Sequence, residues 1–319
     1  MSNDEFFLLK SDARMIATIC FMTMINQYSV LIILFLSILF LISGYLLILF
    51  LGLYLFFSVI PYWSDNETRN KVQPFMNSLA KKWFGNIMTI GFVAQQNKKN
   101  MICMHPYSIS LTSFMFMFCD QTFNDYKVIT NDLIVKLPLM QMLCKMFGIY
   151  SDKTNNVHKL MSSKSNVMLF PGGPSEISVY KHNSHNVSLS DRKDFIKYAL
   201  KYGYSIQPCY FFSDTAMFYK YNGLEEDEKV LAKQSIRMTD LIVQICTIPW
   251  GYFFAIPKKV PIMIGIGEKI ILPQITDPSD DDINTWHETY KDALVSLFNN
   301  NIEQWKKIHP KSDSQINVF

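Results

Sequence analysis

An uncharged apolar stretch at residues 30–60 places the strongest constraint on how this chain can fold. About 20 apolar residues are enough to cross a bilayer core, and a core helix of a water-soluble domain is rarely uncharged over such a length. As one straight helix the stretch would reach roughly 45 Å. It therefore fits either a long, tilted transmembrane helix or a membrane-embedded helical hairpin that bends near Ser43 and Gly44. We predict a membrane anchor at residues 29–61.

The anchor divides the chain into three parts. Residues 1–28 form a tail whose apolar residues 13–25 suit an interfacial helix, and residues 62–319 form one domain. The acidic residues Asp4 and Glu5 and the length of the apolar stretch do not fit a cleaved signal peptide. More lysines follow the stretch than precede it, which favours a cytosolic location for the domain.

Several classes of function are disfavoured by composition and motifs. The net charge of +3 is small and dispersed, and no nucleic-acid-binding signature is present, so no nucleic-acid partner is expected. The six cysteines form no CxxC pair, and no histidines have metal-ligand spacing, so we expect reduced, buried thiols and no metal site. His182 and His185 lie in a polar loop at residues 180–190 and are expected to be solvated. A G-x-S-x-G elbow, a Walker loop and a dinucleotide fingerprint are all absent.

The domain alternates short apolar runs with helical patterns, which predicts an α/β fold with a mostly parallel sheet flanked by helices. The last two predicted strands are expected to pair with each other through a turn at Gly267 and Glu268. The predicted strands are residues 87–94, 101–104, 126–130, 167–170, 205–212, 260–266 and 269–272. The predicted helices are residues 108–119, 133–147, 154–164, 191–202, 225–248 and 280–307.

Two motifs place titratable side chains just beyond predicted buried strands. His-Pro-Tyr-Ser at residues 105–108 follows the strand at 100–104, and Pro-Gly-Gly-Pro-Ser-Glu at residues 171–176 follows the strand at 166–170. Open α/β sheets build their sites at such strand ends. His105 and Glu176 could therefore act as a base and the group that orients it. Glycines 172 and 173 permit close backbone approach to a ligand.

These motifs and their order resemble the diacylglycerol O-acyltransferase type 2 family, which includes monoacylglycerol and wax-ester acyltransferases. The family's His-Pro-His-Gly block corresponds to residues 105–108, and its Pro-Gly-Gly-x-x-Glu block matches residues 171–176. Its Arg-Lys-Gly-Phe block resembles Arg-Lys-Asp-Phe at residues 192–195. The similarity spans roughly residues 85–305, and the apolar stretch matches the family's membrane hairpin.

The resemblance implies an acyltransferase-like fold and a direct acyl transfer from acyl-CoA to the hydroxyl of diacylglycerol, giving triacylglycerol. Acyl-CoA is then a co-substrate, and no cofactor is needed. His105 would remove the proton from the acceptor hydroxyl, and Glu176 would fix its tautomer. Backbone N–H groups near Gly172 and Gly173, or the Tyr107 hydroxyl, would stabilise the oxyanion, and Arg192 and Lys193 would contact the CoA phosphates. The substrate-binding candidates are Pro106, Tyr107, Ser108, Gly172, Gly173, Arg192 and Lys193.

The chain departs from the family pattern at the second histidine, which is Tyr107 here, and at the following glycine, which is Ser108. Because a tyrosine with a pKa near 10 is a poor base at neutral pH, the base role is assigned to His105. Two alternatives stay open. One is an enzyme that acts on monoacylglycerol or a long-chain alcohol, and the other is a catalytically impaired lipid-binding or lipid-droplet protein. The expected partners are acyl-CoA, an acylglycerol or alcohol acceptor and the lipid bilayer of the endoplasmic reticulum. Whether the chain forms a homo-oligomer is left open.

Overall fold

The computed structural model describes residues 66–85, 87–91, 99–107, 123–136, 144, 147–221, 248–252 and 256–319. Among the helices in these ranges, none combines the length and the apolar character needed to cross a membrane. The predicted anchor at 29–61 and the predicted helix at 108–119, which begins with Ser108, lie outside the described residues. So does the predicted helix at 225–248 apart from its last residue, Ile248, which belongs to a strand.

Within those ranges helices and strands alternate along the chain. The helices are α1 (Asn66–Phe84), α2 (Asp132–Lys136), α3 (Thr154–Ser162), α4 (Ser175–Ser178), α5 (Asp194–Tyr202), α6 (Asp214–Met217) and α7 (Asp280–Ile308). The strands are β1 (Ile87–Ile90), β2 (Asn100–His105), β3 (Tyr126–Thr130), β4 (Ile149–Ser151), β5 (Asn166–Leu169), β6 (His185–Val187), β7 (Ser205–Phe211), β8 (Tyr219–Tyr221), β9 (Ile248–Trp250), β10 (Ile262–Ile266) and β11 (Ile316–Val318).

Seven strands form one sheet in the order β1-β10-β7-β2-β5-β3-β4. All neighbours pair in parallel except β10 and β7, which pair antiparallel. Every residue of β2 and β7 is buried, as expected for central strands covered on both faces. The predicted mostly parallel α/β sheet is confirmed, and β2 lies at its centre with its carboxyl end beside those of β5 and β7.

The long C-terminal helix α7 packs against β7 and β10 and against α5. It begins with a capping box, in which the Ser279 side chain accepts from the Asp282 N–H and the Asp282 carboxylate accepts from the Ser279 N–H. Its buried residues recur at helical spacing and form one apolar stripe: Ile283, His287, Tyr290, Leu294, Leu297, Phe298, Ile302 and Trp305. The helix therefore brings residue 290 over the end of the central strand.

Two expectations about strands are wrong. Residues 260–266 and 269–272 do not form a hairpin, because β10 pairs with β1 and β7 while Ile270 makes a single bridge to Ile206. Because β10 is fully buried, its backbone N–H and C=O groups need hydrogen-bond partners on both edges of the strand. A hairpin with residues 269–272 would supply partners on one edge only. The polar segment at 180–190 is also no solvated loop. It contains β6, which pairs with β11 from the end of the chain, and His185 is buried.

The cysteines that lie in the described ranges, Cys103, Cys144 and Cys209, are free and buried. This confirms the prediction of buried thiols for these positions. Burial raises the pKa of each of these thiols, so they stay protonated at neutral pH.

Candidate active site

His105 and Glu176 meet at the carboxyl end of the sheet. His105 is the last residue of the central strand β2, and Glu176 follows the neighbouring strand β5 through the Pro-Gly-Gly turn into the short helix α4. Because β2 and β5 are adjacent and parallel, their ends bring the two side chains to the same edge of the sheet. The His105 Nδ1 atom lies 2.9 Å from Glu176 Oε1, and both side chains are fully buried.

The Glu176 carboxylate is surrounded by N–H groups. Its Oε1 accepts from His105 Nδ1 and, at 3.3 Å, from the Ser188 backbone N–H, while its Oε2 accepts from the Tyr107 backbone N–H. A buried carboxylate is tolerated where several donors satisfy its oxygens. Glu176 thus orients the imidazole and also binds the backbone at Tyr107 and at Ser188.

The second nitrogen of His105 is also engaged. Its Nε2 lies 2.9 Å from the hydroxyl of Tyr290 on α7. Since Nδ1 donates its hydrogen to the carboxylate, Nε2 of the neutral ring is the acceptor, and the Tyr290 hydroxyl donates to it. Burial raises the pKa of Tyr290 well above its usual value, so this phenol keeps its proton. The partners therefore select the tautomer with its basic lone pair at Nε2.

The two glycines of the turn have different roles. A Cβ atom on Gly172 would lie 2.1 Å from Cδ and Oε1 of Glu176, whereas Gly173 has a φ of +56° and open space around its Cα. The close approach that Gly172 permits is therefore that of the Glu176 carboxylate. The Gly173 N–H donates to Phe170 O, and the Tyr107 N–H is bound by Glu176, so neither of these two amides is available to an oxyanion in this arrangement.

Tyr107 stands where the family has its second histidine. Its side chain is buried, and its ring meets Phe170 edge to face with centroids 5.7 Å apart. Pro106, which precedes it, follows His105 through a cis peptide bond and is also buried. The side chains of Pro106 and Tyr107 are therefore part of the protein interior and not of its surface.

The two basic candidates, Arg192 and Lys193, lie before α5 and point in different directions. The Arg192 guanidinium donates to Ser175 Oγ at 2.8 and 3.2 Å, which connects it to the first residue of α4. Lys193 Nζ donates to Asn284 Oδ1 on the exposed side of α7. Arg192 thus contacts Ser175, the residue that precedes Glu176 in the chain. Lys193 lies at the surface nearby.

Lys220 supports α4 from its other end. Its ammonium group, on β8, donates to the carbonyl oxygens of Ile177 and Ser178 at 2.8 and 2.9 Å. These carbonyls lie at the end of the helix, where acceptors lack partners within the helix. The helix that carries Glu176 is therefore held by a cation at its C-terminus.

Sequence reasoning did not assign roles to Tyr290, Ser188 or Lys220. Tyr290 could have been singled out as the one tyrosine within the buried stripe of α7, because a buried tyrosine hydroxyl usually needs a partner. The Ser188 contact uses only the backbone, so no side-chain type marks it. Among the described residues, no group of three histidine, cysteine, aspartate or glutamate side chains is arranged to hold a metal ion.

Similarity to known proteins is a second source of information on this chain. A family model described as diacylglycerol acyltransferase matches residues 37–316. No solved structure is detectably similar to the chain.

The relatives of this chain include wax alcohol acyltransferases and diacylglycerol acyltransferases. The chain is 25% identical over 232 residues to mouse acyl-CoA wax alcohol acyltransferase 1, covering 68% of this chain and 69% of the relative. It is 25% identical over 274 residues to diacylglycerol O-acyltransferase 2 of Dictyostelium discoideum, covering 78% and 82%. It is 30% identical over 174 residues to the zebrafish diacylglycerol O-acyltransferase 2, covering 52% and 48%.

Proposed function

The chain belongs to the diacylglycerol acyltransferase family, and from this premise we propose that it transfers a fatty acyl group from acyl-CoA to the hydroxyl of diacylglycerol, giving triacylglycerol. The single observation that carries the proposal beyond family membership is the buried His105–Glu176 pair, with its imidazole tautomer fixed at the end of the central strand. The pair supplies the base that an acyl transfer to a hydroxyl requires.

In the proposed reaction His105 takes up the proton of the acceptor hydroxyl at Nε2 as the acceptor oxygen attacks the thioester carbonyl. Glu176 stabilises the imidazolium that forms, since its Oε1 already accepts from Nδ1. When the tetrahedral intermediate collapses, the C–S bond breaks and the proton passes to the CoA sulfur. The products are the ester and free CoA thiol.

The reaction needs acyl-CoA as a co-substrate and no further cofactor. Arg192 is suited to contact a CoA phosphate, because its guanidinium lies beside the helix of Glu176, and Lys193 adds a second cation at the nearby surface. Pro106, Tyr107, Ser108 and the two glycines are proposed to shape the substrate site around His105.

We further propose that residues 29–61 anchor the enzyme in the endoplasmic reticulum membrane, with the domain at 62–319 facing the cytosol. The uncharged stretch and the excess of lysines after it support this arrangement. Resistance of the protein to alkaline extraction and protease accessibility of the domain in sealed microsomes test this proposal.

A second acceptor class has a specific observation in its favour. The mouse relative that covers more than two thirds of both chains is named for wax alcohols. Long-chain alcohol, monoacylglycerol and diacylglycerol should therefore be offered together with labelled acyl-CoA. The proposed function predicts triacylglycerol as the main product, and a dominant wax ester would instead assign the alcohol as acceptor.

The proposed base is tested in microsomes from cells that lack their own triacylglycerol synthesis. Wild-type protein should convert labelled oleoyl-CoA and diacylglycerol into triacylglycerol, and His105→Gln should lower the rate by about 10²-fold or more. Glu176→Gln keeps the shape of the side chain and should also lower the rate, because it removes the charge that stabilises the imidazolium.

A matched control is His158→Gln, which alters a histidine on α3 whose Nδ1 contacts the Tyr202 hydroxyl outside the candidate site. This variant should keep full activity. Wild-type activity in His105→Gln would overturn the assignment of the base. Absence of product from the wild type, with a sharp gain in a Tyr107→His, Ser108→Gly double variant, would instead identify this chain as a family member with an impaired site.

A further inference from the structure

The Tyr290 hydroxyl occupies the one ring nitrogen of His105 that Glu176 does not bind. The hydroxyl lies 2.9 Å from Nε2, and Nδ1 is bound by Glu176. His105 is 0% exposed and Tyr290 is 1% exposed. An acceptor hydroxyl therefore cannot reach the basic nitrogen directly while the Tyr290 hydroxyl occupies that position.

The surroundings hold Tyr290 in place. Its ring packs edge to face against Phe195 of α5, with centroids 5.0 Å apart, and its hydroxyl contacts His105 at the end of β2. The ring also lies on the buried stripe of α7. Because α5, α7 and β2 all contact it, displacing the whole ring to expose Nε2 would disturb three elements of the core.

We propose that Tyr290 relays the proton of the acceptor hydroxyl to His105, an inference that rests on the proposed acyl transfer. The acceptor O–H bond breaks as its proton moves to the Tyr290 oxygen, and the Tyr290 proton moves to His105 Nε2. The acceptor oxygen forms the bond to the thioester carbon, and the C–S bond then breaks. The proton returns from Nε2 through Tyr290 to the CoA sulfur, which leaves both side chains in their starting state.

A tyrosine suits this role because its hydroxyl donates and accepts at once. The oxygen gains one proton as it loses the other, so a free phenolate is never required. This matters because burial strongly disfavours the charged phenolate of Tyr290.

The test compares Tyr290→Phe with Tyr204→Phe in the microsomal assay with labelled oleoyl-CoA and diacylglycerol. Phenylalanine at position 290 keeps the ring packing on Phe195 and removes only the hydroxyl. Tyr204 is a matched control, since it is fully buried and its hydroxyl donates to the main-chain oxygens of Met161 and Ser165. Tyr290→Phe should lower kcat by about 10²-fold or more with little change in KM, and Tyr204→Phe should retain wild-type kcat.

A double variant separates a relay from a structural role. If the proton passes through Tyr290 to His105, Tyr290→Phe should cause no further loss in a His105→Gln background. Independent, multiplying losses would overturn the relay, as would wild-type kcat in Tyr290→Phe. A rise in kcat in Tyr290→Phe would also overturn it and would mean that the hydroxyl blocks the base.

Failure of the relay is distinguishable from failure of the proposed function. An active wild type with an equally active Tyr290→Phe overturns the relay and leaves the acyl transfer in place. A wild type that folds but transfers no acyl group to any acceptor overturns both. The hydrogen bond has its own readout in the ¹⁵N spectrum of the labelled protein in detergent, where the Nε2 signal of His105 should shift in Tyr290→Phe and not in Tyr204→Phe.

Discussion

At position 172 the chain requires glycine because a carboxylate occupies the space of a side chain. The turn after β5 folds back so closely that a Cβ atom there would overlap Glu176, while the same atom at position 173 would meet nothing within 4 Å. The two adjacent glycines are thus required for different reasons. The first makes room for the proposed catalytic carboxylate, and the second adopts a left-handed backbone conformation that other residues rarely use.

This difference predicts that alanine at position 172 lowers activity, whereas alanine at position 173 mainly lowers stability. Gly172→Ala should push the carboxylate away from Nδ1 and lower the rate of acyl transfer, as is expected for Glu176→Gln. Gly173→Ala should lower the free energy of unfolding by about 1 kcal/mol through its positive φ and keep most of the activity. Rates from the microsomal assay and thermal midpoints of the purified proteins measure the two effects. Equal losses of activity in both variants would contradict this division of roles.

The residues of the site were only partly predictable from the sequence. His105 and Glu176 could be found because each follows a buried apolar run, and parallel strands end at the same edge of a sheet. Which strands are neighbours is a long-range property, so the 2.9 Å contact could not be predicted. The Gly172 contact was missed because close approach to a ligand and close approach to a side chain leave the same sequence pattern.

At the scale of elements, the helix α4 depends on partners that are distant in sequence. It spans only Ser175–Ser178, and a helix this short is not stable alone. Arg192 donates to Ser175 at its start, and Lys220 donates to Ile177 and Ser178 at its end. The position of Glu176 therefore depends on two cations outside the Pro-Gly-Gly motif.

Replacing Lys220 with methionine should lower activity without touching the imidazole. The substitution keeps the length of the side chain and removes two charge-assisted hydrogen bonds, which should destabilise the protein by about 2 kcal/mol and loosen α4. Lys258→Met is the matched control, because the Lys258 ammonium group lies 3.2 Å from the centroid of the nearby Tyr219 ring and not at the end of α4. Lower kcat in Lys220→Met alone would support this role, and equal kcat values would contradict it.

Elements with strong local patterns were predicted well, and the strands of only three residues were not. Strand β7 and helix α5 have long apolar or periodic runs, and Gly203 ends α5 in a left-handed conformation. Strands β6 and β11 have three residues each and are stabilised by pairing across more than 100 positions of the chain. Each strand is short and mixes polar with apolar residues, so no local signal marks them as strands.

For the molecule as a whole, His185 joins three parts of the fold. Its Nδ1 is 3.0 Å from the Tyr210 hydroxyl of β7, and its Nε2 is 2.7 Å from Ser312 Oγ near the end of the chain. Its ring meets Phe298 of α7 edge to face at 4.7 Å. The sheet, the long helix and the C-terminal segment therefore meet around one buried histidine, which sequence reasoning had expected to be solvated.

This burial predicts a specific loss of stability in acid. Desolvation lowers the pKa of His185 to about 4, although nearby Asp313 raises it and His309 lowers it further. In the unfolded chain its pKa is about 6.5. Above that value the ring is neutral in both states and stability does not depend on its titration. As the pH falls from about 6.5 to 4, His185 binds a proton in the unfolded state and stays neutral in the folded state. The free energy of unfolding should therefore fall by about 3 kcal/mol.

His185→Gln should remove this dependence, because glutamine can still hydrogen-bond and does not titrate in this range. The measurement is the thermal midpoint of the detergent-purified protein from pH 7.5 to 4.5, followed by tryptophan fluorescence. Below pH 6.5 the midpoint of the wild type should fall more steeply than that of the variant. Because His182, His287 and His309 also have pKa values lowered by burial, the variant should keep part of the acid sensitivity. Parallel curves for the two proteins would contradict the assignment of this acid sensitivity to His185.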